Sequence, residues 1–61
     1  MDNPIYESYA RLEKILTESF SDASKFVNGN NSVGTRVRKA MQEVKSIAQN
    51  IRTEVQEQKN Q

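Results

Sequence analysis

A chain of 61 residues with nine Lys and Arg against eight Asp and Glu makes one domain at most and cannot surround a large core by itself. It contains neither cysteine nor histidine, which excludes a disulfide framework and removes the usual zinc ligands, so no metal site and no cofactor are expected. With 34% hydrophobic residues, two glycines and one proline, the composition suits amphipathic helices. A scaffold this small needs further stabilisation, and oligomerisation is the expected source.

The opening residues Met1, Asp2 and Asn3 give no basic start, and no apolar run follows that is long enough for a signal peptide or a membrane span. A cytoplasmic protein without a membrane partner is expected. Helix one is predicted over about residues 4–27. Asn3 serves as its N-cap and Pro4 as its first residue, where proline gives up only an amide that had no partner. Asp2 and Glu7 suit the positive end of the helix dipole. Ile5, Tyr9, Leu12, Leu16, Ala23 and Phe26 recur at spacings of three and four, with Ser19 filling one slot and Phe20 and Val27 widening the stripe. Tyr9, Phe20 and Phe26 are therefore expected in the core and Tyr6 at its edge. The opposite face holds Glu7, Arg11, Lys14, Glu18, Asp22 and Lys25. It reads as a solvated surface with Asp22 paired to Lys25 on the same helix.

Residues 28–32, Asn-Gly-Asn-Asn-Ser, form the one clear break. Gly29 can take the left-handed conformation that closes a helix, and Asn31 or Ser32 can cap the next. The following Asn-X-Ser triplet is read as part of that turn, not as a glycosylation acceptor, in a chain with no secretory signal. Helix two is predicted over about residues 33–58, with Gly34 near its start explained by close packing. Its apolar residues Val33, Val37, Ala40, Met41, Val44, Ile47, Ala48, Ile51 and Val55 form a band broader than a two-stranded seam requires. One partner helix would leave part of that band wet. The expected fold is therefore all-α, an antiparallel two-helix hairpin that dimerises into a four-helix bundle. The expected oligomer interface comprises Tyr9, Leu12, Leu16, Val37, Met41, Val44, Ile47, Ala48, Ile51 and Val55. The polar tail 56–61 should fray.

Charge is divided at the turn: residues 1–27 carry three bases and five acids, a net −2, whereas residues 28–61 carry six bases and three acids, a net +3. Arg38, Lys45 and Arg52 are seven apart and line one flank of the apolar band, while Arg36, Glu43 and Glu54 line the other. On a straight helix the first set places a cation about every 10.5 Å, a spacing able to follow a phosphate backbone. Two readings of this flank stand. It binds nucleic acid, or it borders a subunit contact where the stems cover apolar surface and the charges pair with Glu13 or Glu18. No aromatic residue is interleaved with the bases, so any nucleic acid should be duplex, held weakly by salt-sensitive backbone contacts. Catalysis is not expected, because the chain lacks histidine and cysteine, its carboxylates fall on solvated faces, and no loop cradles phosphate. A small-molecule substrate is not expected either.

The segment from Gly29-Asn30 through Gly34-Thr35-Arg36-Val37-Arg38-Lys39-Ala40-Met41-Gln42, continuing by Ile47-Ala48-Gln49 to Val55-Gln56, resembles the small bacterial histone H1-like proteins related to the chlamydial Hc1 family. An acidic, aromatic first helix followed by a basic second is also similar to theirs. The resemblance implies a nucleoid-associated protein that binds DNA without sequence specificity and helps compact it. Carried over by position, the nucleic-acid-binding residues are Arg36, Arg38, Lys39, Lys45 and Arg52. The competing expectation is a small oligomeric structural or protein-interaction module with no nucleic-acid role.

Overall fold

The computed structural model describes residues 3–60. It consists of α1 (Pro4–Val27), a 3₁₀ turn (Asn31–Val33) and α2 (Gly34–Lys59), two helices packed antiparallel with no strand among the described residues. Asp2 and the last residue of the polar tail lie outside that range. α1 begins on Asn3, whose side-chain oxygen accepts from the Ile5 amide at 2.9 Å. Pro4 occupies the first helical position, where its missing amide costs nothing. α1 ends in a Schellman motif: Gly29 takes φ of 107°, its amide donates to the Phe26 carbonyl at 3.0 Å, and the Asn30 amide reaches back to the Lys25 carbonyl at 3.0 Å. Only glycine holds that φ without a Cβ penalty. The next cap is Asn30, not Asn31 or Ser32, since its side chain accepts from the Ser32 amide at 3.1 Å. Val33, expected as the first residue of helix two, closes the 3₁₀ turn and is buried beneath it.

Gly34 then allows a close approach. A Cβ built there would stand 3.0 Å from Cε1 of the Phe26 ring, so an aromatic side chain, not another backbone, fills the space that glycine leaves. At the far end Asn3 and Gln58 exchange two amide hydrogen bonds, at 3.1 and 3.0 Å. That pair fastens the start of α1 to the end of α2. The tail expected to fray is helical as far as Lys59.

The seam between the helices uses Ile5, Ser8, Leu12, Ile15, Ser19 and Asp22 of α1, the positions that lose exposure. They face Val33, Val37, Ala40, Val44, Ile47, Ile51 and Glu54 of α2. Both sets alternate by three and four, the spacing of a two-stranded antiparallel coiled coil. Three ties fix the levels, Asn3 with Gln58, Asp22 with Arg36, and Phe26 with Gly34. Intermediate residues follow, so that Leu12 lies level with Ile47 and Ser19 with Ala40.

Several expectations are corrected here. Among the described residues the buried apolar ones are Val33 and Ile47, at 5% and 2% exposure, while Tyr9 and Phe20 stand open and Phe26 is still half exposed with one ring edge on Gly34. Ser8, Ile15 and Asp22 hold seam positions in their place, while Ser19 keeps the slot expected for it, its hydroxyl donating to the Leu16 carbonyl at 3.3 Å. Small side chains let the helices close up. Asp22, expected on a solvated face beside Lys25, is buried in the seam and pairs with Arg36 of α2 instead. Extents of 49 × 19 × 11 Å and a radius of gyration of 14.5 Å describe a rod, against about 10.5 Å for a compact domain of this length.

Candidate nucleic-acid interface

Successive residues of an α-helix are about 100° apart, so residues separated by seven form a nearly straight column. The seam occupies two columns of each helix, leaving five to be placed. One ion pair settles which flank is which. Arg11 of α1 and Glu43 of α2 approach to 3.9 Å, and Arg11, Lys14, Glu18 and Glu43 border one shallow groove with Ile15. Hence the column Arg11, Glu18, Lys25 shares a flank with the column Arg36, Glu43, Asn50, Glu57. The columns on the other side of the seam, Tyr9, Leu16, Ala23 of α1 and Gly34, Met41, Ala48, Val55 of α2, share the opposite flank. In that flank Tyr9, Leu16, Met41 and Val55 are exposed.

The five basic residues singled out in the sequence divide accordingly. Arg36 lies on the charged flank, where its Nε stands 3.3 Å from the Asp22 carboxylate. The carboxylate is only 12% exposed and the arginine 68% exposed, so the pair ties α2 to α1 while the guanidinium still touches water. Arg38, Lys45 and Arg52 lie about 160° round the helix from it, in one column of the outer face, and Lys39 lies about 100° from them, beyond the column of Gln42, Gln49 and Gln56. All four are exposed. The structure thus aligns three of the five, sets Lys39 at the far edge of the outer face, and places Arg36 on the charged flank.

Lys59 joins the same column. It follows Arg52 by seven, and α2 remains helical to this residue. The spacing was present in the sequence; the expectation of a frayed tail concealed it. From Arg38 to Lys59 the column runs about 31 Å, close to one turn of B-form DNA at about 34 Å. No acid interrupts it. Glu43 and Glu57 belong to Arg36's column, and Glu54 lies half-buried in the seam. Between the bases stand neutral hydrogen-bonding residues. Gln42, Lys45, Ser46, Gln49 and Arg52 border one shallow groove, and Arg52, Thr53, Gln56 and Glu57 border the next. Such a surface offers charge and amide or hydroxyl donors to phosphate oxygens without a pocket to read a base.

Of the apolar residues expected in an oligomer interface, Ile47 is enclosed by the hairpin itself. Leu12, Val37, Val44 and Ile51 are half-buried in the seam, whereas Tyr9, Leu16, Met41, Ala48 and Val55 remain exposed. Among the described residues no group of three or more acids is placed to hold a metal ion. No helix among them is long and apolar enough to cross a membrane.

Neither a curated protein nor a solved structure matches the chain. A family model described as histone H1-like protein Hc1 matches residues 6–61, which takes in all of α2 and all but the first two residues of α1. The chain therefore belongs to the histone H1-like Hc1 family, a group of structural DNA-binding proteins rather than of enzymes.

Proposed function

We propose that this chain is a nucleoid-associated protein that binds duplex DNA without sequence specificity through the outer face of α2, and that it does so as a homo-oligomer built on the hairpin. Family membership supports a DNA-binding role in general. The observation that carries the finer reading is the acid-free column Arg38, Lys45, Arg52 and Lys59 along α2, with Lys39 across the Gln42 column from it. Each cation that neutralises a phosphate releases a condensed counterion, so affinity comes from salt-sensitive backbone contacts and carries no base preference. Arg36 contributes little, because it is already engaged by Asp22. The low net charge of +1 makes the binding weak, since the acids of α1 offset most of the positive charge of α2.

The test is a titration against two unrelated short duplexes over a range of salt. With four to five contacts, the logarithm of affinity should fall against the logarithm of salt with a slope of about −4 on both sequences. Replacing Lys39 and Lys59 together by glutamine should reduce that slope by about two, and Arg36→Gln should leave it nearly unchanged. Absence of binding at low salt would overturn the reading. So would a slope indifferent to Lys39 and Lys59.

A second reading, an interaction module with no nucleic-acid role, is favoured by the exposed apolar flank. It predicts no duplex binding at any salt.

A further inference from the structure

Tyr6, Tyr9, Leu16, Phe20, Met41 and Val55 are all exposed, and all fall on the flank opposite the Arg11–Glu43 pair or in the α1 column next to it. The accessible surface is 5066 Å², whereas a compact monomer of 7.0 kDa exposes about 4,000 Å². The excess of about 1,000 Å² per chain matches, for two chains, the 1,200–2,000 Å² or so that a stable interface buries.

We propose that a second copy of this chain covers this flank with its own, about a two-fold axis parallel to the helices, so that α1 of each copy lies against α2 of the other. The proposal rests on the self-association reading above and specifies it. Charge decides between the two ways of stacking a pair of hairpins face to face. An axis perpendicular to the helices would set α2 against α2 and bring Arg38, Lys45, Arg52 and Lys59 opposite their own copies, a column with no acid to relieve the repulsion. With the parallel axis that column meets the outer column of α1, which reads Tyr6, Glu13 and Phe20.

The levels coincide without adjustment. Within one hairpin Tyr6 is level with Thr53, Glu13 with Ser46 and Phe20 with Lys39, on the ties that join Asn3 to Gln58 and Asp22 to Arg36. A two-fold axis along the helices carries no translation, so the same levels hold between copies. Tyr6, Glu13 and Phe20 therefore come within about one residue rise, or about 1.5 Å, of the levels of the partner's Arg52, Lys45 and Arg38. Each contact places a guanidinium over an aromatic ring at both ends and an ammonium against a carboxylate between them, and symmetry repeats the set. Phe20, at 75% exposure, is thereby explained as a platform for an arginine stem. The arginine heads stay at the rim, where they still meet water and phosphate, whereas Lys45 is engaged by Glu13 and leaves Arg38, Lys39, Arg52 and Lys59 as the phosphate contacts. The two α2 outer faces end on diagonally opposite edges of the bundle and act as separate strips.

The test is charge exchange read by sedimentation equilibrium. Glu13→Lys and Lys45→Glu, each at an exposed position and each checked for parental helicity at a concentration that saturates its own dimer, should weaken dimerisation by about tenfold singly. Made together, they should restore it to within about threefold of the unaltered chain. A double variant no tighter than the singles would overturn the proposed pairing, as would variants indistinguishable from the parent. An unaltered chain that stays monomeric yet binds duplex with a steep salt slope would overturn the pairing and leave the DNA reading intact. Rescue by the exchange together with no duplex binding by the unaltered chain at low salt would support the pairing and sink the DNA reading.

Discussion

Along one flank of the seam Arg11 meets Glu43 at 3.9 Å and Arg36 meets Asp22 at 3.3 Å, with Glu18, Lys25 and Glu57 in the same columns. Along the other, Tyr9, Leu16, Ala23, Met41, Ala48 and Val55 carry no charge at all. The backbone geometry of the two flanks is the same, so the difference lies in the side chains. The charged flank is complete within one chain, because its partners are present and its long stems reach water. The apolar flank is complete only against something else. A hairpin whose buried apolar residues are Val33 and Ile47 has little core to lose, and this contrast orders the consequences of substitution.

Ile47→Ala should have the largest effect. It removes the most enclosed side chain of the seam at the level of Leu12, and large-to-small changes at such sites cost about 2–5 kcal/mol. For a chain this short that is a large share of a total stability of roughly 3–9 kcal/mol. A urea melt followed by circular dichroism at fixed concentration should show the midpoint collapse. Leu16→Glu on the apolar flank comes next. A carboxylate set there would lie unpaired in the shared interface, and dimerisation should weaken by about thirtyfold, equivalent to about 2 kcal/mol. Glu18→Gln, in the charged flank of the same helix, should leave association unchanged in the same sedimentation run.

Asp22→Leu sharpens the comparison from inside the seam. The carboxylate is buried while its partner is largely exposed, so its removal strands no buried charge on Arg36, and leucine completes the apolar run. Stability should rise by about 1 kcal/mol. The freed Arg36 should steepen the salt dependence of duplex binding by up to about 0.9. The smallest effect belongs to Arg11→Ala. Both members of the Arg11–Glu43 pair are more than half exposed, at 63% and 56%, and such pairs contribute under about 0.5 kcal/mol. A thermal melt should barely move.

The parts of this molecule that the sequence discloses are those with a local cause. Asn3 before Pro4 marks a helix start whatever the helix packs on, and Gly29 marks a reversal because no other residue holds its φ cheaply. The sevenfold spacing of Arg38, Lys45 and Arg52 likewise needs no knowledge of the fold. The face that α1 turns toward α2 has no such local cause. The stripe read from spacing holds Ile5, Leu12 and Ser19, which do line the seam, but it takes Tyr9 and Leu16 as the second column where the structure uses Ser8, Ile15 and Asp22. Periodicity weighs side chains by size, whereas an antiparallel pair selects columns that allow close approach and matched partners. Asp22 could be placed only by knowing that Arg36 comes level with it from α2. That same tie engages Arg36, whose place on the flank opposite Arg38 was already legible in the spacing. Lys59 was legible by spacing alone, but its place depended on a helix end held by Asn3 and Gln58 across the hairpin.

Equilibrium sedimentation of the unaltered chain over a wide concentration range, with helicity recorded on the same samples, tests most directly whether the uncharged flank is shared. The average mass should climb from 7.0 kDa toward twice that value as concentration rises, and helicity should climb with it. A mass fixed at that of one chain, with full helicity and cooperative melting at the lowest concentration, would contradict it.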